Sequence, residues 1–251
     1  VGKIKQSIII SYRQSNEERK NNLQRLLFFL SEILNNETEI VLVEQDYYCS
    51  KIDWLDQNKQ INHIFVYNNK IFNKGLGYNI GVEHARGDYL IFNDIDVFLK
   101  IDSYLSSLKL LEHADVVDPY DTLYYLNKDE TEAFISNNYN FNVIKSLGEK
   151  VTSLVISGGI FMIKKEKFLL LKGFDENCYG YGHEDDIFDV KIKKMKLNVI
   201  NVKDVAIHIY HETKSNDLYH KYYTRKDINN KLFQEYQMMS IEQLKQKINN
   251  T

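Results

Sequence analysis

Short apolar runs, each closed by a polar cluster, constrain this chain more than any other feature. Ser7–Ile10, Ile40–Val43, Ile64–Val66 and Tyr89–Phe92 are β-branched or aromatic stretches of strand length. Between the first two, Ser15-Asn16-Glu17-Glu18 has capping-box spacing, and Leu23, Leu26, Leu27, Leu30, Ile33 and Leu34 follow at helical period. Strand, polar loop and amphipathic helix in alternation predict an α/β domain with a mostly parallel central sheet flanked by helices. In such sheets a ligand binds beyond the carboxyl ends of the strands. The polar clusters Ser11-Tyr12-Arg13-Gln14 and Glu44-Gln45-Asp46 fall there. Arg13 suits a phosphate and an acid suits a base or ribose, although each alone is an ordinary solvated loop charge.

The fourth run ends in Asn93-Asp94-Ile95-Asp96. In an extended segment Asp94 and Asp96 point the same way, and two carboxylates beyond a buried strand ask for a cation between them. A divalent ion with oxygen ligands, shared with a diphosphate, answers that need. Before it, Phe72-Asn73-Lys74-Gly75-Leu76-Gly77-Tyr78-Asn79 reads as a loop entering a short helix, with Gly87 as its stop. It lacks the third glycine and downstream acid of a dinucleotide fingerprint.

Charge and cysteine content narrow the classes. With 32 basic and 35 acidic residues the net charge is −3, which argues against a nucleic-acid partner. Cys49 and Cys178 provide no disulfide framework and no zinc spacing, as expected in a reducing compartment. No stretch has the length of a membrane span and no signal-peptide pattern opens the chain, so the expected site of action is the cytoplasm, with peripheral association at the inner membrane face as its extension.

Further along, Ile101–His113 has helical periodicity, while 115–142 is tyrosine-rich and reads as an irregular excursion over the acceptor side. Gly158-Gly159 interrupts the strand pattern 154–163, which marks a bulge or a ligand lying against backbone. Gly180-Tyr181-Gly182-His183 precedes Glu184-Asp185-Asp186, and Phe188, Ile192 and Met195 then recur at helical spacing, so the acids open a helix. His208 and His211 follow the last strand patterns, 199–202 and 205–209. Residues 215–251 change character, with Ile228, Leu232, Tyr236 and Met239 at helical spacing. We divide the chain into 1–214 and a helical extension, 215–251. Packing on the core is the default for that extension, beside homo-oligomerisation or a membrane surface.

The order strand-Ser-Tyr-Arg, strand-Glu-Gln-Asp, Phe-Asn-Lys-Gly-x-Gly-x-Asn-x-Gly and Asn-Asp-Ile-Asp resembles the GT-A fold of nucleotide-sugar glycosyltransferases, in families 2 and 7. The 173–186 stretch resembles the Trp-Gly-Trp-Gly-Gly-Glu-Asp-Asp signature of β-1,4-galactosyltransferases and chondroitin-type polymerases, with tyrosines for both tryptophans and His183 for a glycine. The resemblance implies a metal-dependent inverting enzyme that moves a galactose, GalNAc or GlcNAc type of sugar from a UDP-sugar to a glycan or glycolipid acceptor, in bacterial surface polysaccharide or lipooligosaccharide synthesis. Donor binding would fall to Ser11, Tyr12, Arg13, Glu44, Asn73, Lys74, Asn79, Asp94, Ile95 and Asp96. Acceptor binding would fall to Gly158, Gly159, Tyr181, Gly182, Glu184 and Asp185, with Asp185 the general base. Mn²⁺, or Mg²⁺, would bind Asp96 with His211 or His208, His211 being favoured. The alternative reading is a non-catalytic nucleotide-sugar or glycan-binding subunit of a glycan-assembly complex; retention of the base argues against it.

Overall fold

The computed structural model describes residues 3–50, 59–143, 149–150, 156, 158–180, 182–212 and 225–249. A seven-stranded sheet forms the centre. It contains β1 (Gln6–Tyr12), β2 (Thr38–Asp46), β3 (Ile61–Tyr67), β4 (Tyr89–Asn93), β6 (Val116–Asp118), β9 (Ile160–Lys164) and β10 (Val199–Asn201), in the order β10-β6-β9-β4-β1-β2-β3. Neighbours run parallel except at β9, which is antiparallel to both β4 and β6. The expected mostly parallel α/β sheet is therefore present.

Period-two alternation sends the strand residues to opposite faces. Ile8, Ile10, Ile40, Leu42 and Ile91 meet α1 (Glu17–Leu30) and α3 (Ile101–Leu110) on one face. Ile9, Val41, Val43, Leu90 and Phe92 meet α2 (Lys74–His84), α5 (Lys165–Leu170) and α6 (Glu184–Lys194) on the other. Helix α1 starts one residue later than the capping-box spacing implies. Asn16 is its cap, accepting from the Arg19 amide at 2.8 Å, and the two glutamates complement the helix dipole.

A second sheet, in the order β5-β11-β7-β8, comprises β5 (Val97–Leu99), β7 (Thr122–Tyr125), β8 (Glu149–Lys150) and β11 (Val205–His208). The stretch 115–142 is thus not irregular. It contributes β6, β7 and α4 (Lys128–Ser136), and it buries Tyr120, Leu123, Leu126 and Phe134 in the core beneath α1 and α3. Its tyrosines hide the pattern, because Tyr120 serves as a core residue. The C-terminal helices α7 (Lys226–Met238) and α8 (Ile241–Asn249) pack through Tyr236, Leu244 and Ile248 against Ile187 and Val190 of α6. None of the described helices is long and apolar enough to cross a membrane.

Close packing sets α2 relative to the sheet. A side chain at Gly77 would collide with Ser11 Oγ, so the helix lies against the ends of β1 and β2. Beneath it Phe92 is fully buried and stacks on Phe161 at 4.7 Å and Phe168 at 5.0 Å. Truncation there leaves a cavity among aromatic rings that cannot collapse. Phe92→Ala is expected to lower unfolding free energy by about 3–5 kcal/mol in urea titrations, with Phe28→Ala, exposed on α1, as a near-neutral control.

Candidate active site

The site is built where β4 ends. Asp94 and Asp96 do not share one direction, because the chain turns at once, with Val97 N donating to Asp94 O at 3.2 Å. The turn gives each carboxylate its own partners. Asp94 accepts from Tyr78 Oη at 2.6 Å and from Lys74 Nζ at 3.1 Å. Asp96 faces the other side, where His211 Nε2 lies at 3.2 Å, His208 Nε2 at 3.7 Å, and the Arg19 guanidinium donates to it.

Pairing of β5 with β11 explains the Asp96 cluster. Val97 pairs with His208, and Ile209 N donates to Asp96 O at 2.8 Å. The first turns of α1 then fix the segment after β11. Asn22 donates to Tyr210 O, and Glu18 accepts from the Glu212 amide. Burial acts to raise the Asp96 carboxyl, but Arg19 and the two imidazoles overcome it and hold the group well below the usual carboxylate range. Burial lowers the His211 imidazole, against the pull of Asp96, which favours the neutral form that ligates metals. The ligand atoms of Asp96, His208 and His211 all lie within 4.8 Å of one another. One carboxylate and two imidazoles suit Mn²⁺, and suit Mg²⁺ less well.

Lys74 links the two halves of the site. It stands in the first turn of α2, and its Nζ lies 3.1 Å from Asp94 Oδ2, 3.1 Å from Asp185 Oδ2 and 3.7 Å from Glu184 Oε1. Burial alone would lower the lysine, yet these carboxylates raise it well above its ordinary value, so it remains charged. The acids pay for their position. Burial raises Asp185 against the effect of Lys74. Burial, opposed by Lys74 and reinforced by Asp185, pushes Glu184 up to about 7. Asp185 Oδ1 is buried and has no hydrogen-bond partner among the described residues.

Glycines make room for this arrangement. Gly158 and Gly159 take φ of +68° and +65°, and a Cβ on Gly158 would sit 2.9 Å from Asp185 Oδ2. Asp94 N donates to Gly159 O at 2.7 Å, which joins the glycine pair to the acidic turn. His183 caps α6 with φ +71°, a conformation that glycine adopts most easily. It is secured by Asp186, 2.8 Å from Nδ1, and by stacking on Phe233 of α7 at 4.7 Å. Asn229 of α7 donates to Tyr179 O and Gly182 O, and Arg225 lies 3.9 Å above the Tyr179 ring. The C-terminal helices therefore hold the loop that presents Glu184 and Asp185.

Other expected site residues have different partners. The Arg13 guanidinium donates to Gln45 O, Lys70 O and Asn68 O at 2.6, 2.6 and 2.8 Å. The arginine at the acidic turn is Arg19, which escapes a reading of the sequence because no local pattern ties residue 19 to residue 96. Asn73 caps α2 and donates to Glu176 O, and Asn79 bonds Phe174 and Glu176, so both staple the 174–176 loop. Ser11 and Glu44 stand near the ends of β1 and β2, where Tyr12 pairs with Glu44, and both Tyr12 and Ile95 are buried. Gly182 lies in the loop before α6, and Tyr181 lies outside the described residues.

The sequence matches the family described as glycosyltransferase like family 2 over residues 7–226. No curated protein matches it by sequence. Among solved structures, the catalytic domain of Drosophila β1,4-galactosyltransferase 7 in complex with xylobiose superposes with a TM-score of 0.53 at 17% identity, over 90% of this chain and 79% of that one. TarS 1–349 of S. aureus gives 0.58 at 15% identity, over 82% and 60%. GalNAc-T7 with UDP, GalNAc and Mn²⁺ gives 0.61 at 14% identity, over 98% and 57%. These likenesses are of fold, and the chain spans about three fifths of TarS 1–349 and of GalNAc-T7.

The raised Glu184 has a consequence for stability. Between its ordinary value of 4.5 and about 7 the folded protein holds a proton that the unfolded chain has released. Stability therefore falls as pH rises through that window. In urea titrations across it, Glu184→Gln is expected to remove much of the decline, and an unchanged pH slope would refute the assignment.

Proposed function

From the chain's membership of glycosyltransferase-like family 2, we propose that it is a metal-dependent inverting glycosyltransferase that uses a UDP-sugar and a glycan hydroxyl. The observation that carries this reading is the Lys74 bridge. It brings the donor-side acid Asp94 and the acceptor-side acids Glu184 and Asp185 around one ammonium.

In the proposed reaction an acceptor hydroxyl oxygen attacks the anomeric carbon from the face opposite UDP. The anomeric C–O bond to phosphate breaks, UDP leaves with the electron pair, and the hydroxyl proton passes to Asp185. Asp185 Oδ2 is fixed by Lys74, while Oδ1 has no hydrogen-bond partner among the described residues and is the oxygen assigned to the hydroxyl proton. Glu184 beside it is suited to hold the acceptor sugar, and Gly158, where a Cβ would crowd Asp185 Oδ2, lets the backbone lie against the base. Asp94, held by Tyr78 and Lys74, is assigned to the donor ribose. Asp96 with His211, and His208 next to them, would hold Mn²⁺ or Mg²⁺. The ion supplies positive charge to the departing diphosphate. The acceptor class we infer is a glycan or glycolipid of bacterial surface-polysaccharide or lipooligosaccharide assembly, on the resemblance to chondroitin-type polymerases.

Two variants separate the roles. Asp96→Ala should abolish metal-dependent UDP binding in calorimetry, and equal UDP affinity with and without metal would contradict the metal assignment. Asp185→Asn should keep donor binding and slow transfer by about 10²–10⁴-fold. Asp186→Asn should do much less, because Asp186 serves His183. Near-native turnover of Asp185→Asn, or a product whose NMR couplings show a retained anomer, would overturn the mechanism.

A further inference from the structure

A second group of ligating side chains lies away from Asp96, at the carboxyl end of β2. Glu44 is fully buried there. The parallel pairing of β2 with β3 sets Leu42 opposite His63, so Glu44 and His63 share a sheet face one diagonal apart. His63 Nε2 is 2.9 Å from Glu44 Oε2. The turn after β2 brings Cys49 Sγ to 3.8 Å from the same oxygen. The other carboxylate oxygen, Oε1, is held from behind by the Ser50 amide at 2.9 Å and by the Ser50 hydroxyl.

This division of labour is that of a metal ligand with its supporting shell: one oxygen anchored by the chain, the other facing a nitrogen and a sulfur. The three ligand atoms all lie within 4.8 Å of one another. Tetrahedral zinc with its usual bond lengths needs nitrogen–oxygen and sulfur–oxygen separations of about 3.3 and 3.6 Å. The observed 2.9 and 3.8 Å require shifts of only a few tenths of an ångström. Burial acts to raise the Glu44 carboxyl, but the bonds from His63 and Ser50 outweigh it, so the ligand is held ionised. Cys49 is exposed, which gives an ion a way in.

We propose that Glu44, Cys49 and His63 form a second, thiophilic metal site that takes Zn²⁺ and ties the 47–50 turn to β3. The thiolate makes the site chemically distinct from Asp96, His208 and His211, which contain no sulfur. Binding replaces the hydrogen bond between His63 and Glu44 with bonds from both to the ion. On the donor-site reading, which places Glu44 at the nucleotide, the bound ion engages a donor residue and weakens UDP binding.

Co²⁺ is the spectroscopic probe, added to the full chain under reducing conditions. A thiolate-to-cobalt charge-transfer band in the near ultraviolet, saturating at one equivalent and displaced by Zn²⁺, is expected. Cys49→Ser should abolish the band and Ser50→Ala should weaken affinity by about 10–100-fold. Asp96→Ala should leave it intact. Absence of the band, or its persistence in Cys49→Ser, overturns the site. With Mn²⁺ present, Zn²⁺ should weaken UDP binding to the unsubstituted chain but not to Cys49→Ser, which should otherwise bind UDP normally. A band without any effect on UDP would retain the metal site and refute only the placement of Glu44 at the donor.

Discussion

One ammonium group, Lys74 Nζ, supports the chemistry of this molecule. Asp94 and Asp185 come from distant parts of the chain and both lie 3.1 Å from it, with Glu184 at 3.7 Å. Three carboxylates in a mostly dehydrated space repel each other, and without a cation at their centre they would protonate or separate. Lys74 is itself fixed by the packing of α2, where Gly77 permits contact with β1 and Asn73 caps the helix. Backbone fit at one helix thus sets the spacing of the acids.

The turn at 94–96 divides positive partners between two sides. Asp94 takes the lysine and a tyrosine, while Asp96 takes Arg19 and two histidines. That division gives two carboxylates within three residues separate surroundings, which the proposed reaction uses as a donor contact and a metal ligand. The second sheet makes it possible, because β11 pairs with β5 directly after the turn. A different constraint acts at the loop before α6. Helix α7 holds the described residues of the glycine-rich loop through Asn229 and Phe233, with Arg225 at its start, and Gly180, Gly182 and His183 there take left-handed backbone.

How much of this is legible in the sequence depends on the range of the forces concerned. Apolar alternation is local, so β1, β2, β4 and the helices between them are legible, as is the helix opening at Glu184. The Asp-x-Asp turn and the Glu-Asp pair are legible as chemistry, because acids next to buried strands or glycine loops are costly without a purpose. Long-range pairing is not legible. Arg19 has no local relation to Asp96, and nothing local in the sequence shows that Arg13 bonds three backbone carbonyls. Asn73 and Asn79, expected at the donor, staple a loop. The 115–142 stretch misleads for a related reason, since tyrosines such as Tyr120 are core residues here. Glu44, Cys49 and His63 form no metal spacing in the sequence because strand pairing brings them together.

The central claim is that Lys74 keeps Asp185 ionised and aimed while joining it to the donor acid. The pH dependence of kcat/KM for sugar transfer tests this most directly, compared between the unsubstituted enzyme and Lys74→Met. Loss of the ammonium removes the interaction that opposes burial at Asp185. The account predicts that the acidic limb of the profile moves to higher pH in Lys74→Met. An acidic limb at the same pH in both proteins would contradict it.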